Sequence, residues 1–529
     1  MRPVSAPLRG FWFEDREMTE CMSVRSCACW LHETVGGTAA LRADSRAVKA
    51  GDVFVALKGE KSDGLAYARA AAERGAAALL CEVRSDAEEK RAGLPFVQVE
   101  NLHDRLGEIA SLYYGSPSAA MHGAAITGTN GKTSTSHWTA ALLTHLGMKT
   151  AAIGTVGTFL AGECIDSASL TTPDAATLQH TFKNILTAGA GAFALEASSI
   201  GLVRHRLSGT AIETAVFTNL TRDHLDYHKT FEAYEEAKAL LFDWPTLKTA
   251  VINADDAAGR RFIAKMLARG LTTIATSLYE ECRVPGCRMM TAEKLEHAPE
   301  GMHFWLRFNG AAYPVQSRVF GRFNVSNLLE TAAVAVSFGF SIEDVARGLE
   351  LLEPPAGRLQ TVTAPDAPLA VVDYAHTPDA LEKVLGALRE TAESRGGRLV
   401  CVFGAGGDRD AGKRPIMGET ASKLADRTVV TSDNPRTENP RAIAEAILSG
   451  VPGDRRGTVT LELDRRRAIV ETLCAADARD VVLIAGKGHE DYQEINGVKH
   501  PFDDRLAARE AFGQRRARCA GESGRTPSA

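Results

Sequence analysis

The stretch ITGTNGKTSTSHW, from Ile126 to Trp138, places two glycines, a lysine and several hydroxyl residues between an apolar run and a helical pattern. Glycines in such a loop let backbone N–H groups turn towards an anion, and the lysine reaches the terminal phosphates of a nucleotide. The threonine after the lysine offers its hydroxyl to magnesium. Ile126 stands where the usual pattern has its first glycine, so the loop is a shortened variant. The order of strand, GKT and helix predicts a nucleoside triphosphate site at Gly128, Thr129, Asn130, Gly131, Lys132, Thr133 and Ser134.

The composition is that of a globular protein with several domains. The chain has 529 residues, 45% of them hydrophobic and 24% charged, which is too long for a single core. A net charge of -5 gives no basic field for nucleic acid, and no uncharged apolar run is long enough to span a bilayer. The ten cysteines are scattered without a disulfide framework. We therefore expect a cytoplasmic protein that binds no nucleic acid and does not insert into a membrane.

Apolar runs alternate with helical patterns along most of the chain. DSRAVKAGDVFVALKG and GLAYARAAAERGAAALLCE indicate a small α/β unit. GAAIT, KTAAIG, GAFALEA, TAVFTNL and TAVINAD then indicate a parallel sheet covered by helices, and LAVVDYAH, RLVCVFGAG, RTVVTSDN and DVVLIAGKG indicate a second open sheet. We predict an α/β chain with an irregular extension, three domains and a disordered tail, at 1–30, 31–120, 121–356, 357–512 and 513–529.

Charged side chains follow two of the predicted strands, at the sheet edge where ligands collect. Glu196 ends the run GAFALE, where its carboxylate could hold magnesium opposite Thr133. His224 lies in TNLTRDHLDYH, just after another strand, and Lys238 follows fourteen residues later in a helical pattern. A lysine ammonium beside magnesium would repel it unless the charge of the lysine were changed.

The motifs TGTNGKTS, TTPDA, LEASS, TRDHLDYH, YEEAKALL, GRFNVSNLLE, DYAHTPDALE and SDNPRTENP, taken together, resemble the Mur ligase family from about Asp44 to about Asp504. The resemblance implies an N-terminal domain for a uridine nucleotide, a central P-loop ATPase domain and a C-terminal Rossmann-like domain for an amino acid. It also implies two magnesium ions, with Thr133, Glu196, His224 and a carbamylated Lys238 as protein ligands.

The resemblance also assigns substrate contacts. Adenine and ribose would contact Asn327, Arg358 and Asp373. The UDP-linked substrate would contact Ser45, Thr171, Thr172, Ser198, Arg204 and Arg206. Ile200 and Arg204 depart from the family pattern, in which histidine and glutamine are common, although arginine still suits an anionic substrate.

The run DNPR, from Asp433 to Arg436, bears on which amino acid is added. Meso-diaminopimelate carries a second carboxylate, which a guanidinium binds with two hydrogen bonds, whereas lysine has none. Arg436 therefore favours diaminopimelate, and Glu490 suits the distal ammonium. The resemblance implies a diaminopimelate site made of Arg409, Asp433, Asn434, Pro435, Arg436, Gly486 and Glu490.

The resemblance, together with Arg436, implies an ADP-forming ligase that adds meso-diaminopimelate to UDP-N-acetylmuramoyl-L-alanyl-D-glutamate through an acyl phosphate, for peptidoglycan synthesis. Lys132, magnesium and His224 would act on the transferring phosphoryl group by position and charge. We expect a monomer that binds only small-molecule substrates. The alternatives are a lysine-adding ligase, a folylpolyglutamate synthetase-like ligase, a ligase that adds D-alanyl-D-alanine to the UDP-linked substrate, and a nucleotide-dependent regulatory protein.

Overall fold

The computed structural model describes residues 22–59, 62–167, 170–221, 223–298, 301–355 and 357–523, without the side chains of 226 and 518–523. Chain contacts divide the protein into two compact units. The first unit comprises Met1–Pro117, Asp174–Asn184 and Arg204–Thr210, and the second comprises Ser118–Pro173, Ile185–Val203 and Ala211–Ala529. In the part of the chain described, no helix combines the length and apolar character needed to cross a bilayer.

The first unit contains a four-stranded parallel sheet in the order β1-β2-β3-β4. Its elements are α1 (Val24–Val35), β1 (Leu41–Arg42), β2 (Val53–Ala56), α2 (Ala68–Glu73), β3 (Ala78–Glu82), α3 (Ala87–Lys90), β4 (Phe96–Val99) and α4 (Leu102–Tyr113). The predicted small α/β unit is thus confirmed. The helix and strand that we predicted in GLAYARAAAERGAAALLCE are α2 and β3.

The second unit begins with an eleven-stranded sheet in the order β15-β14-β13-β12-β11-β10-β5-β9-β6-β7-β8. Its elements are β5 (His122–Thr127), α5 (Lys132–His145), β6 (Thr150–Gly154), β7 (Gly157–Leu160), β8 (Glu163–Asp166), α6 (Ala175–Thr187), β9 (Ala192–Glu196), α7 (Ser199–Val203), β10 (Thr214–Phe217), α8 (Leu225–His228), α9 (Phe231–Ala239), β11 (Thr249–Asn253), α10 (Ala257–Ala268), β12 (Thr272–Ser277), β13 (Arg288–Ala298), β14 (Gly301–Phe308), β15 (Ala311–Ser317), α11 (Arg322–Ser337) and α12 (Ile342–Leu349). The first part of α6 belongs to the first unit.

The strands predicted in this region form a parallel block, with β5 at its centre between β10 and β9. Antiparallel strands, which the sequence analysis did not identify, extend the sheet at both edges. Helix α5 packs beside α11, and Trp138, Leu142, Leu328 and Leu329 join one buried core. The phosphate loop therefore leads from a central buried strand into a buried helix.

A six-stranded sheet of order β16-β17-β21-β18-β19-β20 follows in the same unit. Its elements, with a separate hairpin of β22 and β23, are β16 (Gln360–Val362), β17 (Leu369–Asp373), α13 (Pro378–Ser394), β18 (Leu399–Phe403), α14 (Lys413–Leu424), β19 (Arg427–Val430), α15 (Pro440–Leu448), β20 (Val459–Leu461), α16 (Arg465–Ala475), β21 (Val481–Ala485), β22 (Tyr492–Ile495), β23 (Val498–Pro501) and α17 (Asp504–Ser523). Val371 and Val372 of β17 face opposite cores, as expected of a strand covered on both sides.

Two predicted termini need correction. Residues 24–30, predicted to be irregular, belong to helix α1, where Cys27 and Leu31 pack in the core of the first unit. Residues 513–523 of the predicted disordered tail continue helix α17. Residues 1–21 and 524–529 lie outside the described structure. Both segments are helical where we predicted no regular structure, because tertiary contacts stabilise helices whose local sequence signals are weak.

Candidate active site

The phosphate loop needs its glycines for both conformation and space. Gly131 caps α5 with a φ of 88°, in the left-handed region. A Cβ on Gly131 would lie 2.4 Å from Oδ1 of Asn327, and one on Gly128 would lie 1.9 Å from Oγ1 of Thr218. Any larger residue would force the loop away from its neighbours. The first turn of α5 then carries the buried residues Thr133 and Ser134.

Lys132 is folded back over the loop. Its Nζ donates hydrogen bonds to the carbonyl oxygens of Gly128, at 2.8 Å, and Thr129, at 3.0 Å. Burial lowers the pKa of Lys132, while the nearby carboxylates of Glu196 and Asp223 favour its charged form. The ammonium is thus held against the loop that the sequence predicts to bind phosphate.

Lys238 lies against the same loop, although it comes from helix α9. Its side chain is buried, and its Nζ donates to the carbonyl oxygen of Gly128 at 2.8 Å and lies 4.3 Å from the centre of the Tyr234 ring. Burial lowers the pKa of Lys238 well below its usual value, and the charge of Lys132 lowers it further. Two lysines sharing one carbonyl favour a neutral amine at Lys238.

Residues just after β10 anchor the loop, and the sequence analysis did not assign them this role. Oγ1 of Thr218 donates to the carbonyl of Asn130 at 2.6 Å, and the N–H of Asn130 donates to Oδ1 of Asn219 at 3.0 Å. Oγ1 of Thr129 donates to the carbonyl of Thr221 at 3.1 Å. The signal was available, because the run TNLT follows the strand beside β5 and so ends at the same sheet edge.

The predicted metal ligands lie around the loop without forming a cage. Glu196 is fully buried and accepts hydrogen bonds from the backbone N–H, at 2.9 Å, and the hydroxyl, at 3.0 Å, of Thr155. His224 has a φ of 52° and is half-exposed, with its Nε2 3.6 Å from a carboxylate oxygen of Asp223. Among the described residues, no group of three or more His, Cys, Asp or Glu side chains could hold a metal ion. Such a sparse donor set fits magnesium, which takes most of its ligands from phosphates and water.

Asp373 supports the backbone next to Arg358. Its carboxylate accepts hydrogen bonds from the N–H of Leu359, at 2.7 Å, and of Ala375, at 2.8 Å. Burial raises the pKa of Asp373, although the Arg358 charge opposes the shift. The Arg358 guanidinium lies 5.2 Å from the centre of the Tyr374 ring. Asp373 therefore fixes the segment that carries Arg358, and Asn327 lies directly against Gly131.

The residues predicted for the UDP-linked substrate are divided between the two units. In the second unit, the hydroxyl of Thr172 donates to the backbone carbonyl of Glu196 at 2.8 Å and lies 2.9 Å from Oγ of Ser198. The hydroxyl oxygen of Thr155 lies 3.1 Å from Oγ1 of Thr171. These hydroxyl residues form one polar cluster beside β9. The first unit contains Ser45, Arg204 and Arg206.

The predicted amino-acid site comes from the loops after β19 and β21. Nδ2 of Asn434 donates to Oε2 of Glu490 at 2.7 Å. The buried Lys487, which the sequence analysis did not identify, donates to Oδ1 of Asn434 at 3.0 Å and to the same Glu490 oxygen at 2.8 Å. A Cβ on Gly486 would lie 2.3 Å from Oδ2 of Asp433, so these loops touch.

Arg436 lies at the edge of this cluster. Its φ of 51° lies in the left-handed region, which few non-glycine residues adopt. Its Nη1 donates to the carbonyl of Gly407 at 2.8 Å, and its Nε lies 3.3 Å from a carboxylate oxygen of Glu494. A Cβ on Gly407 would lie 2.0 Å from the carbonyl oxygen of Pro435, and Arg409 is exposed on the adjoining loop.

Three Mur ligase profiles match the chain: "Mur ligase family, catalytic domain" at 39–114, "Mur ligase middle domain" at 126–335 and "Mur ligase, glutamate ligase domain" at 357–488. The chain is 45% identical over 474 residues to the UDP-N-acetylmuramoyl-L-alanyl-D-glutamate--2,6-diaminopimelate ligase of Janthinobacterium sp. (strain Marseille), which covers 88% of this chain and 92% of that protein. The ligase of the same name from Pseudomonas aeruginosa is 44% identical over 470 residues, which are 88% of this chain and 93% of that one.

Solved structures of ligases show the same similarity to this chain. A ligase of that name superposes with a TM-score of 0.65 at 37% identity, covering 90% of this chain and 95% of the other. The MurF ligase of Thermotoga maritima, solved in complex with ADP, shares the fold with a TM-score of 0.62 at 19% identity, covering 91% of this chain and 99% of that one.

A phosphate loop at the carboxyl edge of a parallel sheet, followed by a second α/β sheet, defines a nucleotide-dependent α/β enzyme. More narrowly, the chain belongs to the Mur ligase family and is a ligase with the three-domain architecture of that family.

Proposed function

We propose that the chain is an ATP-dependent ligase that joins meso-diaminopimelate to UDP-N-acetylmuramoyl-L-alanyl-D-glutamate, a step in making peptidoglycan precursors. One observation carries the proposal. The phosphate loop and the DNPR loop with Arg436 occur together in a chain 45% identical to a ligase that bears these substrates in its name.

The proposed reaction begins when the free glutamate carboxylate of the UDP-linked dipeptide attacks the γ-phosphorus of ATP. ADP leaves, and an acyl phosphate forms. The amine of diaminopimelate then attacks the acyl carbon, inorganic phosphate leaves and the nitrogen loses a proton to give the amide. No protein nucleophile is required, so the protein contributes position and charge. Lys132, at the N-terminus of helix α5, would stabilise the negative charge on the transferring phosphoryl group.

Magnesium fits this site with Thr133, Glu196 and His224 as its protein contacts. When bound, it would neutralise phosphate charge. Glu196 is already oriented by Thr155, whose N–H and hydroxyl fix its carboxylate.

Carbamylation of Lys238 is part of the proposal. A neutral lysine amine adds carbon dioxide and releases a proton, which leaves an anionic carbamate. The lowered pKa of Lys238 supplies that neutral amine, and carbamylation would place an anion in place of the amine beside Gly128 and the Lys132 cation. The carbamate would join the donor set for magnesium.

The proposed substrate contacts follow the residues already described. Asn327, Arg358 and Asp373 belong to the ATP site, and Ser45, Thr171, Thr172, Ser198, Arg204 and Arg206 to the UDP-linked dipeptide. Arg436 would receive the distal carboxylate of diaminopimelate, with Arg409, Asp433, Asn434, Pro435, Gly486 and Glu490 completing that site. ATP and a nucleotide-linked precursor fit a cytoplasmic location, and we propose that the enzyme acts as a monomer.

A panel of acceptors tests the proposed function. Purified protein with ATP and the UDP-linked dipeptide is offered diaminopimelate, lysine or D-alanyl-D-alanine, and the products are weighed by mass spectrometry. We expect an amide product with diaminopimelate. The Lys132→Ala variant should remain folded and lose most of this activity. A preference for lysine, or no ADP release with diaminopimelate, would refute the proposal.

A further inference from the structure

A buried ion pair joins the starts of the last two long helices. Arg465 opens α16 and Asp504 opens α17, and both side chains are completely buried. Nε and Nη2 of Arg465 donate to the two carboxylate oxygens of Asp504, each at 2.7 Å. This bidentate contact leaves the remaining guanidinium N–H groups of Arg465 free to bind other acceptors.

Those remaining donors reach the backbone of both amino-acid loops. Nη2 of Arg465 donates to the carbonyl of Ala485 at 3.0 Å, and its Nη1 donates to the carbonyl of Ser432 at 3.3 Å. Ser432 directly precedes Asp433, and Ala485 directly precedes Gly486. One guanidinium therefore ties together the places where the two loops leave their strands.

The two loops also touch beyond this tie. Lys487 of one loop donates to Asn434 of the other. Oδ2 of Asp433 is buried against Gly486, and it has no hydrogen-bond partner in the described structure. Since an unpaired buried carboxylate oxygen is costly, this arrangement persists only if the surrounding backbone is held firmly.

Stability alone is a weak reason for such a pair. Removing two ions from water costs several kcal/mol, and apolar residues of similar volume often give equal or greater stability. An apolar pair could fill the same space, but it could not bind the carbonyls of Ser432 and Ala485. The property specific to Arg465 is thus the fixed spacing of the two loops.

We propose that Arg465 and Asp504 are positioning residues for amino-acid recognition. They hold the DNPR loop and the loop after β21 at the spacing that an amino acid with a distal carboxylate and ammonium requires. The inference rests on the proposed function, because diaminopimelate is the ligand that these loops would receive. Neither residue needs to touch the substrate.

The test compares Arg465→Met/Asp504→Leu, Arg465→Met and Arg465→Lys with the wild-type enzyme. The double variant removes both charges together and so avoids a lone buried ion. Arg398→Met is the matched control, because Arg398, just before β18, pairs with buried Asp480 at the opposite end of β21 from Ala485. Thermal melts establish folding, and steady-state kinetics give KM for each substrate.

We expect the double variant to melt near the wild-type temperature and to raise KM for diaminopimelate about tenfold or more, equal to about 1.4 kcal/mol. KM for ATP should change less than about twofold. Arg465→Lys should recover part of the loss seen in Arg465→Met, and Arg398→Met should leave KM for diaminopimelate unchanged.

An unchanged KM for diaminopimelate in the folded double variant would overturn the inference, as would an equal rise for all three substrates. If the double variant does not fold, the test uses Arg465→Lys and the ratio of its KM for diaminopimelate to its KM for ATP. A rise in this ratio relative to wild type supports the inference, and an unchanged ratio overturns it. Failure of the proposed function is distinguishable, because the wild-type enzyme would then not use diaminopimelate.

Discussion

Gly131 has a φ of 88°, and a methyl group added there would lie 2.4 Å from Oδ1 of Asn327. Ordinary contact begins at 3.4 Å, so the Gly131→Ala variant must separate these groups by about 1 Å. Asn327 is buried and its Nδ2 donates to Asn324 at 3.2 Å, so the strain falls on the loop as well. A displacement of about 1 Å at a catalytic site costs about 100-fold in rate. We expect kcat/KM for ATP to fall by about that factor, equal to about 2.7 kcal/mol.

Gly147 provides the matched control, because it follows the other end of helix α5. Its φ is 92°, and a Cβ there meets no atom within 4 Å. Gly147→Ala and Gly131→Ala both incur about 1–2 kcal/mol for a left-handed alanine, but only Gly131→Ala disturbs Asn327. Coupled measurement of ADP release gives kcat/KM, and thermal melts give stability. Equal kcat/KM values in the two variants would refute the argument.

Three further predictions concern buried or charged groups. Lys238→Ala should lower ligase turnover about 100-fold, and added bicarbonate should not restore it. The control is Lys248→Ala, which changes an exposed lysine and should retain turnover. Full activity of Lys238→Ala in the ADP-release assay would contradict the proposed carbamate. Arg436→Lys removes the guanidinium fork, so the kcat/KM ratio of diaminopimelate to lysine should fall about tenfold or more, and an unchanged ratio would count against this site. Burial raises the pKa of Glu330 well above its usual value of 4.5. Above pH 4.5 the folded chain therefore keeps a proton that the unfolded chain loses, so the free energy of unfolding falls as the pH rises towards the raised pKa. Glu330→Gln cannot ionise, and its melting temperature relative to wild type should therefore rise as the pH increases above about 5. A difference that stays constant with pH would show that Glu330 ionises normally in the fold.

The central parallel strands of both large sheets could be predicted because their signals are local. Runs such as AFAL and VVLIA are apolar over their whole length, as expected of parallel strands buried on both faces. The edge strands β13, β14 and β15 were missed. None of the three is buried along its whole length, and their pairing depends on neighbours rather than on composition.

Helix α1 shows the same limit. Its segment contains few strong helix signals, yet Cys27 and Leu31 are fully buried in the first unit. Packing of an apolar face supplies most of a helix's stability, and that face is defined only when the rest of the core is present.

The sequence alone determined the phosphate loop, because turn, glycines, lysine and hydroxyls lie within a few residues and obey local backbone rules. Only the tertiary structure decided which groups meet that loop. Lys238 donates to Gly128 from 110 positions away, and Arg465 ties loops more than 50 residues apart. Hydrogen bonds and burial act through space, so their partners and the pKa shifts they cause are fixed only once distant strands and helices have packed.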